Sequence, residues 1–403
     1  MIRICALLAG LLLAGLLLAA PVVAADPPRL PWEPTPSVAS AYARATAIAE
    51  LGRKLFFDPA LSASARIACA TCHDPAHGFS APNASPVQLG GPDLRRSGVR
   101  AVPSLMYGQS APVFSEHFFE SEDEGDASVD QGPTGGRSWD GRVDRPRDQA
   151  VLPLLESNEM ANAGPAMVVA AVARASYAAE VRLLYGQDVF ADPPRAFAAV
   201  TEALEFYQET PATFSPFGSK YDAFLSGRAS LTEQEVRGLV LFNDPGKGNC
   251  ANCHKSAVTA DGRPPLFTDF GFVALGLPRN LAIPANDDPA YFDLGLCGPE
   301  RHDLADHPAY CGMFKAPTLR NVASKASFYH NGVSTRCGMR WRFMPPVIPI
   351  RNNGIRWGRT GSLGNSTICR RTLLRTLASS RRLAGSACSR TPMSMTWWRS
   401  CGR

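Results

Sequence analysis

The pentapeptide Cys69-Ala70-Thr71-Cys72-His73, which returns in kind as Cys250-Ala251-Asn252-Cys253-His254, constrains this chain more than any other feature. C-x-x-C-H is the pattern that attaches a c-type haem. Two thiols three positions apart each bond one vinyl group of a porphyrin, and the adjoining His offers the iron an axial nitrogen. A thioredoxin-like redox pair would need a neighbouring βαβ pattern and has no use for the His. A structural zinc site would want two Cys pairs within one small module, whereas these lie in different halves of the chain. The sequence therefore predicts two covalently bound haems, attached through Cys69, Cys72, Cys250 and Cys253 and ligated by His73 and His254.

The ends of the chain differ from its body. Met1-Ile2-Arg3 carries one positive charge and runs into an apolar stretch through Leu18, followed by Pro21 to Ala25 before Asp26. This is the pattern of a secretory signal peptide over residues 1–25, too short and wrongly flanked for a membrane span. The mature protein is expected outside the cytoplasm, which in a bacterium means the periplasm, with no membrane span. From 336 to 403 there are 14 Arg, no Lys and no acidic residue. Setting these and Arg3 aside from the 41 basic residues, against 36 acidic ones, leaves residues 26–335 acidic by about ten charges. That balance speaks against a nucleic-acid partner and suits a small basic electron carrier. Outside the haem motifs, Cys297 and Cys311 close a short loop and form either a disulfide or two free thiols.

One haem motif in each half makes two haem domains the economical parse, an N-terminal one over 26–165 and a C-terminal one over 166–335. Apolar residues recur at helical spacing in Val38–Phe56, Met167–Tyr185, Phe197–Tyr207 and Val236–Phe242. Ser230-Leu231-Thr232-Glu233 reads as a capping box for the last of these. Strand patterns are scarce, so the predicted fold is mostly α: two cytochrome-c-like haem domains with long irregular connections. Glu116 to Asp130 forms an acidic loop, read as a solvated insertion or as a docking surface for a basic partner.

From about Leu51 to Gly332 the chain resembles the bacterial di-haem cytochrome c peroxidases and their MauG-type relatives. The resemblance rests on Leu51-Gly52-Arg53-Lys54-Leu55-Phe56-Phe57-Asp58-Pro59 and Trp139-Asp140-Gly141-Arg142 around the first haem motif. Beyond the second it rests on Ala316-Pro317-Thr318-Leu319-Arg320-Asn321 and Tyr329-His330-Asn331-Gly332. It implies that Trp139 lies between the haems, with Gln149, Pro153 and Glu159 on the distal side of the first. The implied activity is reduction of hydrogen peroxide to water, the first haem being peroxidatic and the second passing electrons from a small c-type cytochrome or cupredoxin. Glu159 would move the peroxide proton, Gln149 would hold peroxide by hydrogen bonding, Pro153 would crowd the distal face and Trp139 would lie on the electron path. Alternatives are a MauG-type oxidase acting on a protein side chain and a di-haem electron carrier without peroxide chemistry. Peroxidase-type members carry a distal His ligand where this chain has Gln88, Leu89 and Gly90, so the resemblance implies a five-coordinate first haem. His77 reads as a surface residue. An interdomain calcium ion is common in the family, but the position equivalent to its Asn ligand is Ala101, which offers no side-chain oxygen.

The tail carries a further expectation. Its Arg content, its four Cys and its four of six Trp do not match the preceding domain, and codons from Thr335 onward, read two nucleotides later, permit an amphipathic helix. Residues 336–403 are therefore read as a frameshift product, leaving the chain unstable or inactive. Met344 stands where the family places the sixth ligand of the second haem and would be a thioether ligand. The shifted frame would place Tyr or His there. Arg340, Arg342 and Pro345-Pro346 suit a packed helix poorly.

Overall fold

The computed structural model describes residues 36–121 and 125–335. In chain order the helices are α1 (Pro36–Phe56), α2 (Cys69–Cys72), α3 (Pro146–Leu155), α4 (Pro165–Arg174), α5 (Ala178–Tyr185), α6 (Pro193–Gln208), α7 (Pro211–Phe214), α8 (Lys220–Leu225) and α9 (Glu233–Asn243). Two antiparallel two-residue ladders accompany them. β1 (Leu89–Gly90) pairs with β2 (Arg96–Ser97), and β3 (Phe272–Val273) with β4 (Phe314–Lys315). Helices thus outweigh strands among the described residues, and the rest is long connection broken by short 3-10 turns. Arg44 begins the unit that carries every feature discussed below; residues Pro36–Ala43 form the first turns of α1.

α1 shows how sequence becomes packing. Ile48, Leu51, Leu55 and Phe56 fall on one face and are buried. Gly52 shares that region, and a Cβ there would stand 1.8 Å from the carbonyl oxygen of Ala203. Only glycine allows α1 to lie this close on α6. α6 starts on an Asp192 cap with Pro193 in its first turn, and it buries Ala199, Val200, Ala203 and Leu204. Val200, Ala203 and Leu204 join the buried face of α1, Leu154 of α3, Val168 and Val172 of α4, Val181 of α5 and Phe214 of α7 in one apolar core. A second core gathers Tyr221, Phe242, Phe267, Leu319, Val322 and Phe328.

Two sequence expectations shift. The periodic stretch Met167–Tyr185 is not one helix: α4 ends and α5 begins around Ala175–Tyr177, where Tyr177 is buried and donates its hydroxyl to Asp58. That tertiary contact overrides the local periodicity. The capping box of α9 lies two residues later than Ser230–Glu233. Glu235 N–H donates to the Thr232 hydroxyl at 3.3 Å, and Thr232 N–H donates to the Glu235 carboxylate at 2.7 Å. Glu235 is buried and takes the Lys220 ammonium at 2.6 Å, which fixes the register. Cys297 and Cys311 are joined as a disulfide. No helix among the described residues is long and apolar enough to cross a membrane. The leader 1–25, the tail 336–403 and Met344 lie outside the described residues.

Candidate active site

Each C-x-x-C-H motif is wound into a turn closed by its own His. His73 N–H donates to the Cys69 carbonyl at 2.9 Å, and His254 N–H to the Cys250 carbonyl at 2.8 Å. The two imidazoles are then oriented alike. Nδ1 of His73 faces the Phe79 carbonyl at 2.9 Å, and Nδ1 of His254 faces the Phe267 carbonyl at 2.8 Å. A carbonyl only accepts, so Nδ1 carries the proton in each ring and Nε2 keeps its lone pair for a metal. Phe79 and Phe267 both adopt left-handed backbone, φ +52° and +54°, a conformation that costs a bulky residue on the order of 1–3 kcal/mol. The fold holds this strain at the same place twice, where it aims a carbonyl at a histidine.

The cysteines fit attachment and not redox cycling. Cys69, Cys72, Cys250 and Cys253 form no disulfide. Burial pushes the Cys69 and Cys72 thiols up to about 12 and Cys253 to about 11, the reverse of the lowered values that mark redox-active thiols. Burial lowers the His73 imidazole to about 4 despite its carbonyl partner, so the ring is neutral at pH 7, as a ligand must be. These residues fit two c-type haems.

The Trp139-Asp140-Gly141-Arg142 motif is a set of anchors. The buried indole of Trp139 donates Nε1–H to the Ala101 carbonyl at 2.7 Å. Asp140, fully buried, accepts from Arg100 at 2.6 Å, and Arg100 also grips Asp293 through two bonds of 2.7 Å. Gly141 has φ +65°, where an added Cβ would press on the rings of Phe272 and Phe114 at 2.8 and 2.9 Å. Arg142 donates to the Glu300 carbonyl at 2.8 Å and pairs with its carboxylate at 3.1 Å. The Trp139 ring meets His330 edge-on at 6.4 Å, and His330 stacks on Phe314 at 3.4 Å between centroids. At Ala101 the carbonyl is occupied by Trp139 and the N–H by His330 O.

α3 carries Gln149 and Pro153 and leads to Glu159. Its start is pinned by Arg145 and Arg147, which both bond the buried Glu205 of α6. Pro153 lies inside the helix; lacking an N–H, it leaves the Gln149 carbonyl without its intrahelical donor. Glu159 follows in a turn whose carbonyl accepts from Gly91 N–H at 2.7 Å. Gly90 lies so close that a Cβ would stand 2.3 Å from Asn158 O and 2.6 Å from Glu159 O. Glu159 is an exposed residue, yet enough protein packs around its carboxyl that desolvation, with Glu156 nearby and against the pull of Arg142, raises it to about 7. Its charge is felt at both Cys69 and Cys72, which places it at the first motif. Gln149 and Trp139 line one common cavity.

Several residues at this site carried no sequence signal. Gln88 does not reach the site: its side chain exchanges two 3.1 Å bonds with Asn83. His77 lines the cavity, partly exposed, with Nδ1 on Asp74 at 2.7 Å. Arg100 and Gly90 act through contacts with distant segments, and nothing local distinguishes them. In the second half, Thr318 and Arg320 bond the carbonyls of Leu266 and Pro265, steadying the loop whose Phe267 orients His254. Arg320 is itself held by Asp222 at 2.7 and 3.0 Å. The acidic loop stays largely exposed where described, but Glu120 pairs at 3.4 Å with Lys255, the residue after His254.

A helical chain with two such histidine sites, and with a buried tryptophan anchored by Ala101, has the make-up of a di-haem c-type protein. Residues 46–230 match the family model described as di-haem cytochrome c peroxidase. The methylamine utilization protein MauG of Paracoccus denitrificans is 39% identical over 295 residues, 72% of this chain and 72% of that protein. The cytochrome c551 peroxidase of Nitrosomonas europaea is 26% identical over 289 residues, 71% of this chain and 69% of that one. The crystal structure of the diheme peroxidase BthA from Burkholderia thailandensis matches with a TM-score of 0.64 at 36% identity, covering 79% of this chain and 74% of that one. The chain belongs to the di-haem cytochrome c peroxidase family, which includes the MauG proteins. It is an oxidoreductase of the peroxide-using kind with two covalently bound c-type haems.

Proposed function

We propose that the protein is a periplasmic di-haem peroxidase that reduces hydrogen peroxide to water with electrons from a small redox carrier. One observation carries this reading: Glu159 stands near Cys69 and Cys72 of the first haem motif with its carboxyl raised to about 7, where it is ready both to take and to return a proton. The haem at His73, when bound, supplies the iron site and the redox equivalents. The chain supplies the rest. A Glu159 oxygen accepts the proton from one peroxide oxygen and delivers it to the other, which leaves as water when the O–O bond breaks; two electrons from the carrier, passed by way of the haems when bound, and two protons from solvent would convert the remaining oxygen to a second water. Gln149 holds the substrate by hydrogen bonding without adding charge. Pro153 is a residue with no N–H to compete for the substrate. Trp139 lies between the two halves as an oxidisable ring held by Ala101.

The two halves are read as two haem domains, divided nearer residue 215 than 165, since the first apolar core runs on to Phe214. The Glu120–Lys255 contact brings the acidic loop beside the second motif, which supports docking of a basic donor there. A second reading, a MauG-type oxidase that acts on a protein side chain, is favoured by the 39% identity to MauG. Steady-state peroxide consumption with reduced small c-type cytochrome separates them. Rapid donor oxidation supports the peroxidase; peroxide use only alongside oxidation of an added protein supports the oxidase, and two inert six-coordinate haems would refute both.

A further inference from the structure

The two histidine sites are built alike beyond their left-handed phenylalanines. Pro103-Ser104-Leu105-Met106-Tyr107 straps the first, and Pro317-Thr318-Leu319-Arg320-Asn321 straps the second. The Ser104 hydroxyl donates to the Gly78 carbonyl and the Thr318 hydroxyl to the Leu266 carbonyl, each at 2.6 Å and each one residue before the phenylalanine. Leu105 N–H then donates to the Phe79 carbonyl and Leu319 N–H to the Phe267 carbonyl, both at 3.3 Å. Each carbonyl that faces a histidine Nδ1 is therefore also held by a strap. Each hydroxyl accepts in turn from the N–H two residues on, that of Met106 or Arg320, at 3.1 Å. Each strap ends in left-handed backbone, φ +59° at Tyr107 and +57° at Asn321. The straps also meet. The Asn321 amide reaches the Met106 sulfur at 2.9 Å, and the Arg320 guanidinium lies 5.3 Å from the centroid of the Tyr107 ring and 5.8 Å from that of Phe267. An unbroken run of contacts leads from His73 through Phe79 and the two straps to Phe267 and His254.

We propose that Ser104 and Thr318 are equivalent positioning residues, each orienting the imidazole of its own site through its strap, and that the Met106–Asn321 and Tyr107–Arg320 contacts couple the two imidazoles. The partner on Nδ1 sets both the orientation of a ligating histidine and the basicity of its Nε2. That partner here is a backbone carbonyl, and the hydroxyl one peptide earlier keeps it from tilting. Packed interiors transmit displacement, so a strap that moves pushes on the strap it touches. Such coupling is reciprocal: a change made at either strap is felt at the other site.

The proposal rests on assigning one haem to each histidine site, and the test keeps the two claims apart. Covalent haem is counted in the full-length holoprotein by its reduced pyridine spectrum. The g-values of both haems are then read by electron paramagnetic resonance in fully oxidised protein, where both irons carry the same charge in every variant. Expected are two haems throughout. Ser104→Ala should shift the g-values of the His73 haem and, more weakly, those of the His254 haem, and Thr318→Val should do the reverse. Ser104→Thr and Thr318→Ser keep the hydroxyl and should give wild-type spectra. Met106→Leu, which conserves volume, should shrink the cross-site shift and leave the own-site shift in place. Adding Arg320→Lys, which keeps a cation beside Asp222, should abolish the cross-site shift. Two haems with shifts confined to the altered site, or with a cross-site shift undiminished by both junction changes, would overturn the coupling. Hydroxyl deletions that move neither spectrum would overturn the whole proposal while leaving the haem assignment intact. Fewer than two haems in wild type would overturn the assignment and the proposal with it.

Discussion

Trp139 and His330 are joined through one residue: the indole N–H of Trp139 donates to the carbonyl of Ala101, and the N–H of Ala101 donates to the carbonyl of His330, each at 2.7 Å. The preceding residue, Arg100, clamps Asp140 and Asp293. Two consecutive residues thus hold Trp139, its neighbour Asp140 and the 293 and 330 segments in fixed relation.

Arg100 is the cation of that clamp, and its own side chain and those of Asp140 and Asp293 are at most 12% exposed. Arg100→Met would leave the buried Asp293 carboxylate without its cation and Asp140 with only the 3.6 Å contact to Arg142, a change expected to cost on the order of 3–5 kcal/mol. A guanidinium titration followed by far-ultraviolet circular dichroism should show the midpoint falling accordingly. A midpoint within error of wild type would mean that the clamp contributes nothing to stability.

Gly90 is expected to control Glu159 without touching substrate. The Cβ of Gly90→Ala would fall against the carbonyls of Asn158 and Glu159, so the turn must move. A displacement of about 1 Å at a reacting group can cost on the order of 10² in rate. Peroxide turnover should drop by about that factor with the haem spectrum of the second site unaltered. Gly98→Ala, whose Cβ would meet nothing closer than 3.4 Å, serves as the control and should be nearly silent.

How much of this was legible in the sequence depends on how local each cause is. The two C-x-x-C-H turns were legible because five consecutive residues specify each, and α1 because its apolar face is a local repeat. The break between α4 and α5 was not, because it is imposed by Tyr177 reaching Asp58, far away in sequence. Nor were the left-handed Phe79 and Phe267, since an aromatic residue gives no hint of positive φ. Arg100 looks like any other cation until the chain brings Asp140 and Asp293 to it.

The first haem should have an open coordination position. Gln88, in the segment where a distal ligand would lie, spends its amide on Asn83. Electron paramagnetic resonance of the oxidised protein is expected to show a high-spin signal that disappears in His73→Gly. Only low-spin signals in untreated protein would sink the expectation.

The pH dependence should follow Glu159. Its carboxyl is raised above the ordinary carboxylate value of 4.5 to about 7, first by burial and then by Glu156. A general base must be ionised, so kcat/KM for peroxide is expected to fall as pH drops through about 7. The stability consequence has the opposite sign. A raised carboxyl binds its proton more tightly in the folded than in the unfolded chain, so its contribution is fully present below about 4.5 and is lost as pH rises through about 7. Glu159→Gln should therefore abolish the limb near pH 7 and lower turnover by about 10² to 10⁴. The same variant should be no less stable than wild type at pH 8, because it removes an ion that burial disfavours. Rate profiles between pH 5 and 9, with denaturation midpoints at pH 5 and 8, check both halves. A variant that keeps the limb would place the titrating group elsewhere, and one that loses stability at pH 8 would mean that the Glu159 carboxylate is better solvated or better paired than its raised value implies.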